Sequence, residues 1–510
     1  MLAYETMAGM KLAATVRPLV ALGFGGVIPL LLYNAEWTSA AIVIGVCSAY
    51  SGVRFGWTCF GRTPDLMAGF FWMFMYIFAG LAPLVQLAGH QWPLGTGITD
   101  AQALAAAVVM LVFLLAFDVG RGFARRAKPS GPPDRELNPG RLLPVVVFAF
   151  LASAYELFRI GSVGVLFDSR RALNRAISSG SAPSLIPPLI HLVLLGLPMF
   201  IGAYLLIAAS KTGRIGPRPL ATLLTVAATL ILINPISSAR YAFGTVALGL
   251  LLVALLPLKM TIYRCLMLGT SSVIIFAFQV FSLYRYEDSA GSVGVRLDPY
   301  AQLRHGDYDA FQQAAHAIEW VQATGFHPQQ LLGPLVFWVP RVWWPDKPYD
   351  TGIVVAEFIG LVNNNLSEPI PAEMYVAGGW LLVALSGLLL GYAWRRMDQR
   401  LALFGPTGFI GLVVPILAAY QFILLRGSLL QAMARLTVIL ALLWFATSPV
   451  SRGETRPANG KPADPARAPH SAEPGSLIKN GAHEGQPSLK PRHRPKPAVI
   501  DAAADTGRDT

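Results

Sequence analysis

Charge is scarce in this sequence and cysteine is nearly absent. Asp, Glu, Lys and Arg make up only 13% of the 510 residues, against 54% hydrophobic residues, and the mean hydropathy is +0.52. A soluble domain carries about 25% charged residues, so a water-soluble core is excluded as the place where this much apolar side chain could hide. Cys47, Cys59 and Cys265 have neither the number nor the spacing for a disulfide framework or a zinc site. The chain also lacks a Gly-rich phosphate loop followed by Lys, a His and Glu metal pair at helical spacing, and a nucleophile elbow. Those absences count against nucleotide-driven transport by this chain alone and leave no metal or cofactor to expect. Acidic residues are the rarer sign, 28 against 40 Lys and Arg. The basic excess collects between apolar runs, where it orients a membrane protein, so nucleic acid is not an expected partner.

What is present is a succession of apolar segments. A spanning helix needs roughly 20 mainly apolar residues, and twelve stretches qualify: 13–33, 37–53, 66–88, 101–120, 142–160, 188–209, 219–235, 241–258, 265–283, 379–394, 406–425 and 428–448. The expected fold class is therefore all-α, a polytopic transmembrane helix bundle of about 12 spans, forming a multi-pass membrane domain over residues 1–450. The first stretch has no small-residue cleavage site and reads as an uncleaved first span. With the N-terminus inside, the inner loops hold Arg121, Arg125, Arg126, Lys128, Arg135 and Arg141, then Lys211, Arg214 and Arg218, then Arg395, Arg396 and Arg400. The loop 89–100 carries no Lys or Arg. The positive-inside rule then places both termini in the cytoplasm. Residues 451–510 are rich in Pro, Ala, Gly and charge. They have too few apolar groups to offset the entropy of ordering, so a disordered cytoplasmic tail is expected.

Three outward connections stand out: 161–187, the tight turn 234–240, and 284–378. A loop of roughly 90 residues in a protein of short turns is far beyond the usual connection, and such loops commonly carry function. Within it, 308–324 reads as a helix, with Phe311, Ala315, Ile318 and Val321 spaced for one apolar face, while 331–344 is apolar enough to lie in the interface. Arginines gather on this outward side, where positive charge should be sparse: Arg170, Arg171 and Arg175, then Arg240, then Arg285, Arg296, Arg304, Arg341 and Lys347, then Arg426. Arg240 and Arg426 sit at helix mouths, where Arg must be solvated, paired or bound to an anion; taken singly, each could instead snorkel to the headgroups. The planar guanidinium fork suits a phosphate or diphosphate, because two parallel hydrogen bonds reach its oxygens. A base on the same side would be a carboxylate or imidazole, with Asp307, Asp309, Glu319, Glu373 and His305 as candidates. For any one carboxylate, a helix cap or a local salt bridge is the plainer role. The run 339–348 adds Trp344, Asp346 and Lys347 between prolines, fit either for sugar stacking and polar anchoring or for a structural turn at the interface.

These residues resemble the O-antigen polymerases, the oligosaccharide repeat-unit polymerases of the Wzy type. The resemblance rests on Asn234, Pro235, Arg240, Tyr241 and Gly244; on Pro340, Arg341, Trp344, Pro345, Asp346, Lys347 and Pro348; on Leu366, Ser367, Pro369 and Glu373; and on Arg426 with Gly427. It covers residues 70–443 and implies an enzyme of the bacterial inner membrane with its active site facing outward. Such an enzyme transfers glycans without a nucleotide sugar: polyprenyl-diphosphate-linked oligosaccharides serve as donor and acceptor, membrane lipid surrounds the site, and a chain-length regulator protein is among the partners. The resemblance further implies outward arginines in place of a metal, matched here by Arg170, Arg171, Arg240, Arg341 and Arg426. The expected reaction is an inverting transfer in which Glu373 or Asp307 takes the proton, Arg240 and Arg341 act on the departing diphosphate, and Arg170, Arg171, Arg285, Arg296, Arg304, Trp344, Asp346, Lys347 and Arg426 hold substrate. The product would be an O-antigen, a capsule or an exopolysaccharide. Two alternatives stay open: an O-antigen ligase, which would draw on His305, His316 or His327 with Arg, and a transporter that flips the lipid-linked unit. Transporters usually show two similar halves with mid-membrane sites, whereas here the charge lies in loops.

Overall fold

The computed structural model describes residues 18–126, 135–178, 188–278, 298–361 and 366–450. The tail 451–510, and with it the expectation of disorder there, lies outside the described residues, as do Arg285 and Arg296. The chain is an all-α polytopic membrane bundle. Seven described helices are long and apolar enough to cross a membrane. They are α2 (Ser39–Cys59), α3 (Leu66–Ala88), α4 (Asp100–Arg126), α5 (Leu142–Ile160), α7 (Pro188–Lys211), α12 (Ile370–Phe404) and α13 (Phe409–Arg426). Shorter apolar helices occupy the other five expected positions: α1 (Pro18–Leu32), α8 (Pro219–Leu232), α9 (Arg240–Leu255), α10 (Met260–Phe276) and α14 (Leu429–Phe445). The only strands among the described residues, Arg135–Leu137 and Thr447–Pro449, pair antiparallel with Glu136 opposite Ser448.

α3 is the central helix, and its residues are buried on every side. A helix that is apolar all round has no face to offer solvent, so it takes the middle of a bundle. α4 and α12 approach most closely where each presents glycine. A Cβ on Gly120 would lie 2.0 Å from Leu388 O, and one on Gly391 would lie 1.9 Å from Phe117 O. Without hydrophobic drive between helices in lipid, small residues that let backbones meet supply much of the packing. At one end of the bundle, Asp398 accepts from Met67 N at 2.9 Å and Ala68 N at 3.3 Å, capping the first turn of α3. Arg121 lies 3.2 Å from Asp65 and 3.5 Å from Asp398, and Arg395 lies 2.9 Å from Asp65.

The described part of the long connection between α10 and α12 packs onto the bundle. Its main element, α11 (Ala310–Thr324), buries Phe311, Ala315, Ile318 and Val321 as the spacing predicts, and buries Gln312, Gln313 and His316 as well. Of these, Gln312 Nε2 donates to Thr96 O at 2.5 Å and to Thr96 Oγ1 at 3.0 Å. Within 161–187, the described part contains a short helix, α6 (Arg170–Ser178). α12 begins nine residues earlier than its expected start at 379 and is broken there, with Gly379 at φ 65, a left-handed angle at which any Cβ is strained.

Candidate functional site

Local backbone chemistry fixes each cation at the site. After α8, Asn234 Oδ1 accepts from Ile236 N at 2.9 Å and Ser237 N at 3.1 Å, while its Nδ2 donates to Leu166 O at 2.8 Å. That side-chain turn reverses the chain in a few residues and delivers Arg240 as the first residue of α9. Arg426 is the last residue of α13, where Gly427 leaves the helix in an extended conformation, so the guanidinium sits at the favourable C-terminal end of the helix dipole. Arg170 opens α6. Arg304 follows the short helix Pro299–Leu303 and lies against Gly89, where a Cβ would be 2.3 Å from Arg304 Nη2. The missing side chain leaves room for the guanidinium.

These elements enclose a cavity of about 570 Å³ lined by Arg170, Arg240, Arg304, Arg426 and Arg435, facing Asp307, Asp309 and His305. Guanidinium groups outnumber carboxylates there five to two. The turn 305–309 is clasped from two helices. Arg240 forms an ion pair with Asp307. Arg426 donates through Nε to Asp307 O at 3.0 Å and through Nη2 to Asp309 Oδ1 at 2.8 Å. Tyr241 donates its hydroxyl to Asp307 O at 3.0 Å, and the Arg426 guanidinium lies 4.9 Å from the Tyr241 ring centre. Asp309 also accepts from the Ser367 hydroxyl and from Ser367 N at 3.3 Å.

Burial alone would push the Asp307 carboxyl up. The His305 contact and the charges of Arg240 and Arg426 outweigh it and hold Asp307 well below the usual carboxylate range. Asp307 is thus ionised at neutral pH and, by the same interactions, a weak base. His305 Nδ1 lies 3.3 Å from Asp307 Oδ2 and 3.4 Å from Asp307 N. Nδ1 accepts from Asp307 N in one tautomer; with the proton on Nδ1 it donates to the carboxylate instead, and Nε2 is left as an acceptor. Behind the cavity wall Glu368 is fully buried, and burial together with nearby Glu373, Asp350 and Asp309 pushes its carboxyl well above the usual range. Among the described residues no three His, Cys, Asp or Glu side chains converge as a metal-holding group.

Of the residues singled out from the sequence, Arg170, Arg240, Arg304, Asp307 and Arg426 converge on the cavity, and His305 and Asp309 join them. Glu373 does not line it. It is buried, and its two oxygens accept from Leu429 N at 3.0 and 3.2 Å, the work of a cap on α14. Arg341 and Lys347 also lie elsewhere. Arg341 donates to Lys347 O at 2.5 Å and Pro348 O at 3.1 Å and covers the Tyr349 ring at 3.6 Å. Lys347 Nζ donates to Phe337 O at 2.7 Å and Val339 O at 3.0 Å. Both cations therefore close the 337–349 turn on itself. Trp344, half-buried, and Asp346, exposed, belong to that turn and do not reach the cavity, nor does exposed Arg171. His316 lies 3.4 Å from Glu319, and His327 stacks on Trp320 at 4.1 Å, away from the arginines.

Arg435 was not anticipated. It is the lone charge in α14, and an arginine in an otherwise apolar helix is costly enough to be a functional signal. Half-buried, it has no hydrogen-bond or ion-pair partner among the described residues. The fold and cavity thus define a polytopic α-helical membrane protein with an arginine-rich chamber at the helix ends. Compared with known proteins, the chain matches no family model, no curated protein and no solved structure.

Proposed function

We propose that this chain is a membrane glycosyltransferase that polymerises polyprenyl-diphosphate-linked oligosaccharide repeat units into a surface polysaccharide at the outer leaflet of the bacterial inner membrane. One observation carries the reading: five arginines from separate elements meet in one cavity with only two carboxylates, at the ends of apolar helices. Such a chamber attracts an anion, and a lipid-borne diphosphate presents one at that depth. The sequence resemblance to repeat-unit polymerases points the same way.

In the reaction, an acceptor sugar hydroxyl attacks the anomeric carbon of the donor glycan. A new C–O bond forms with inversion while the bond to the diphosphate breaks. The proton passes to His305, which Asp307 orients and stabilises once charged. The diphosphate leaves on its lipid with its negative charge held by Arg240, Arg426 and Arg435, whose donors strengthen their hold as charge develops. His305 beside these arginines also favours a second reading, an O-antigen ligase, which differs only in taking a lipid core as acceptor. The test is reconstitution with a defined lipid-linked repeat unit: a ladder of lengthening products supports polymerisation, transfer only to a lipid core supports ligation, and no glycosidic product with either acceptor overturns both.

A further inference from the structure

A second cavity, about 510 Å³, opens beside the first and shares Arg240, Tyr241 and Phe422 with it. It runs between α9 and α10 as far as Leu255 and Ile262. From Arg240 to Leu255 a helix rises about 22 Å, a large part of a hydrocarbon core of about 30 Å. Apart from Arg240, the Tyr241 hydroxyl and two threonines, its walls are apolar, with Cys265 on the α10 side.

Glycine shapes this groove without a packing reason. On the other face of α9, a Cβ at Gly249 would lie 2.9 Å from the Phe200 ring, so that glycine lets α7 approach. At Gly244 and Gly269, which line the groove, a Cβ would meet nothing within 4 Å, and neither has a positive φ. Glycine inside a helix is destabilising relative to alanine. Here that cost leaves open room where the hairpin would otherwise have side chains.

We infer that this groove holds the isoprenoid chain of the lipid-diphosphate substrate, with Arg240 at the joint between chain and diphosphate. The inference rests on the glycosyltransferase reading and adds to it a site for the lipid. Continuity decides the occupant. The groove and the arginine chamber share Arg240, Tyr241 and Phe422 in their walls, so a ligand that occupies both must carry an anion at one end and a long apolar chain behind it. The two helices of a single hairpin bound one channel, which suits one chain and not the two of a phospholipid.

Cys265 is an exposed cysteine in the groove wall, whereas Cys47 and Cys59 are buried. The test is its rate of modification by a membrane-permeant maleimide in the full chain, held in nanodiscs of neutral phospholipid. Undecaprenyl diphosphate should slow labelling severalfold, inorganic pyrophosphate should not, and Arg240→Ala should weaken the protection. Equal protection by phosphatidylglycerol, or none by undecaprenyl diphosphate, overturns the assignment. As a second arm, Gly269→Phe should fill the groove and abolish use of the lipid-linked substrate, while the purified variant keeps its thermal midpoint. Full polymer from Gly269→Phe would sink the groove and leave the glycosyltransferase reading standing. Protection of Cys265 without any glycosyl transfer would keep the groove and sink that reading.

Discussion

Arg426 at the end of α13 and Asp309 at the start of the α11 segment lie 2.8 Å apart, 117 residues distant in sequence. The pair ties the long connection to the helix bundle and sets one wall of the cavity. Asp309 is buried, and removing one partner of a buried pair leaves the other charge uncompensated. Asp309→Ala should therefore cost roughly 3–5 kcal/mol of stability, read as a lowered thermal midpoint of the purified protein. A change too small to measure would contradict this anchoring role.

Arg435 has no hydrogen-bond or ion-pair partner among the described residues, so Arg435→Ala should leave stability nearly unchanged. A charge-assisted hydrogen bond to substrate is worth about 1.5–3 kcal/mol, so turnover should fall on the order of tenfold to a hundredfold. Initial rates with a lipid-linked repeat unit measure this. Wild-type turnover would remove Arg435 from the site.

Glu373 and Asp307 separate two roles for carboxylates. Glu373→Gln keeps an oxygen acceptor for Leu429 N, so turnover should stay within a few-fold of wild type. Asp307→Asn removes the charge that orients His305 and pairs with Arg240, and should lose most activity per amount of folded protein. The reverse order of effects would restore Glu373 as the base.

The depressed Asp307 carboxyl makes a prediction about pH. A group whose folded pKa lies below its unfolded value contributes stability that is complete above the unfolded value, about 3.9 for Asp, and lost as pH falls through the folded one. The direction of the Asp307 shift therefore puts the loss on the strongly acidic side. The stability difference between wild type and Asp307→Asn should not diminish from pH 8 to pH 5. A difference that shrinks between pH 8 and pH 6 would contradict the assignment.

The positions of the helices were legible because each needs a long apolar run. Their lengths were not. Hydropathy ends a span at charge, yet α2 continues through Arg54 and α12 through Arg395 and Asp398, because Arg54 pairs with Asp118, and Asp65 and Arg121 meet the other two. Pairing across helices is invisible to a reading along one chain. At the site, Arg240, Arg426 and Asp307 were legible from the expense of cations at helix mouths and the acids near them. Arg341 and Lys347 lie outside the cavity, their donors satisfied by carbonyls of their own turn. That capture depends on backbone geometry, which residue type does not carry. Arg435 was overlooked although a single charge in an apolar helix was there to be seen.

The central claim is that the arginine chamber grips a lipid-borne diphosphate during glycosyl transfer. The most direct measurement is product length and released lipid from wild type and Arg240→Lys, reconstituted with one defined lipid-linked repeat unit. Lysine keeps the charge and loses the two-pronged donor geometry. The account predicts a long ladder with release of polyprenyl diphosphate from the wild type and a severe loss of both from Arg240→Lys. An undiminished ladder from the variant, at equal protein level, would contradict it.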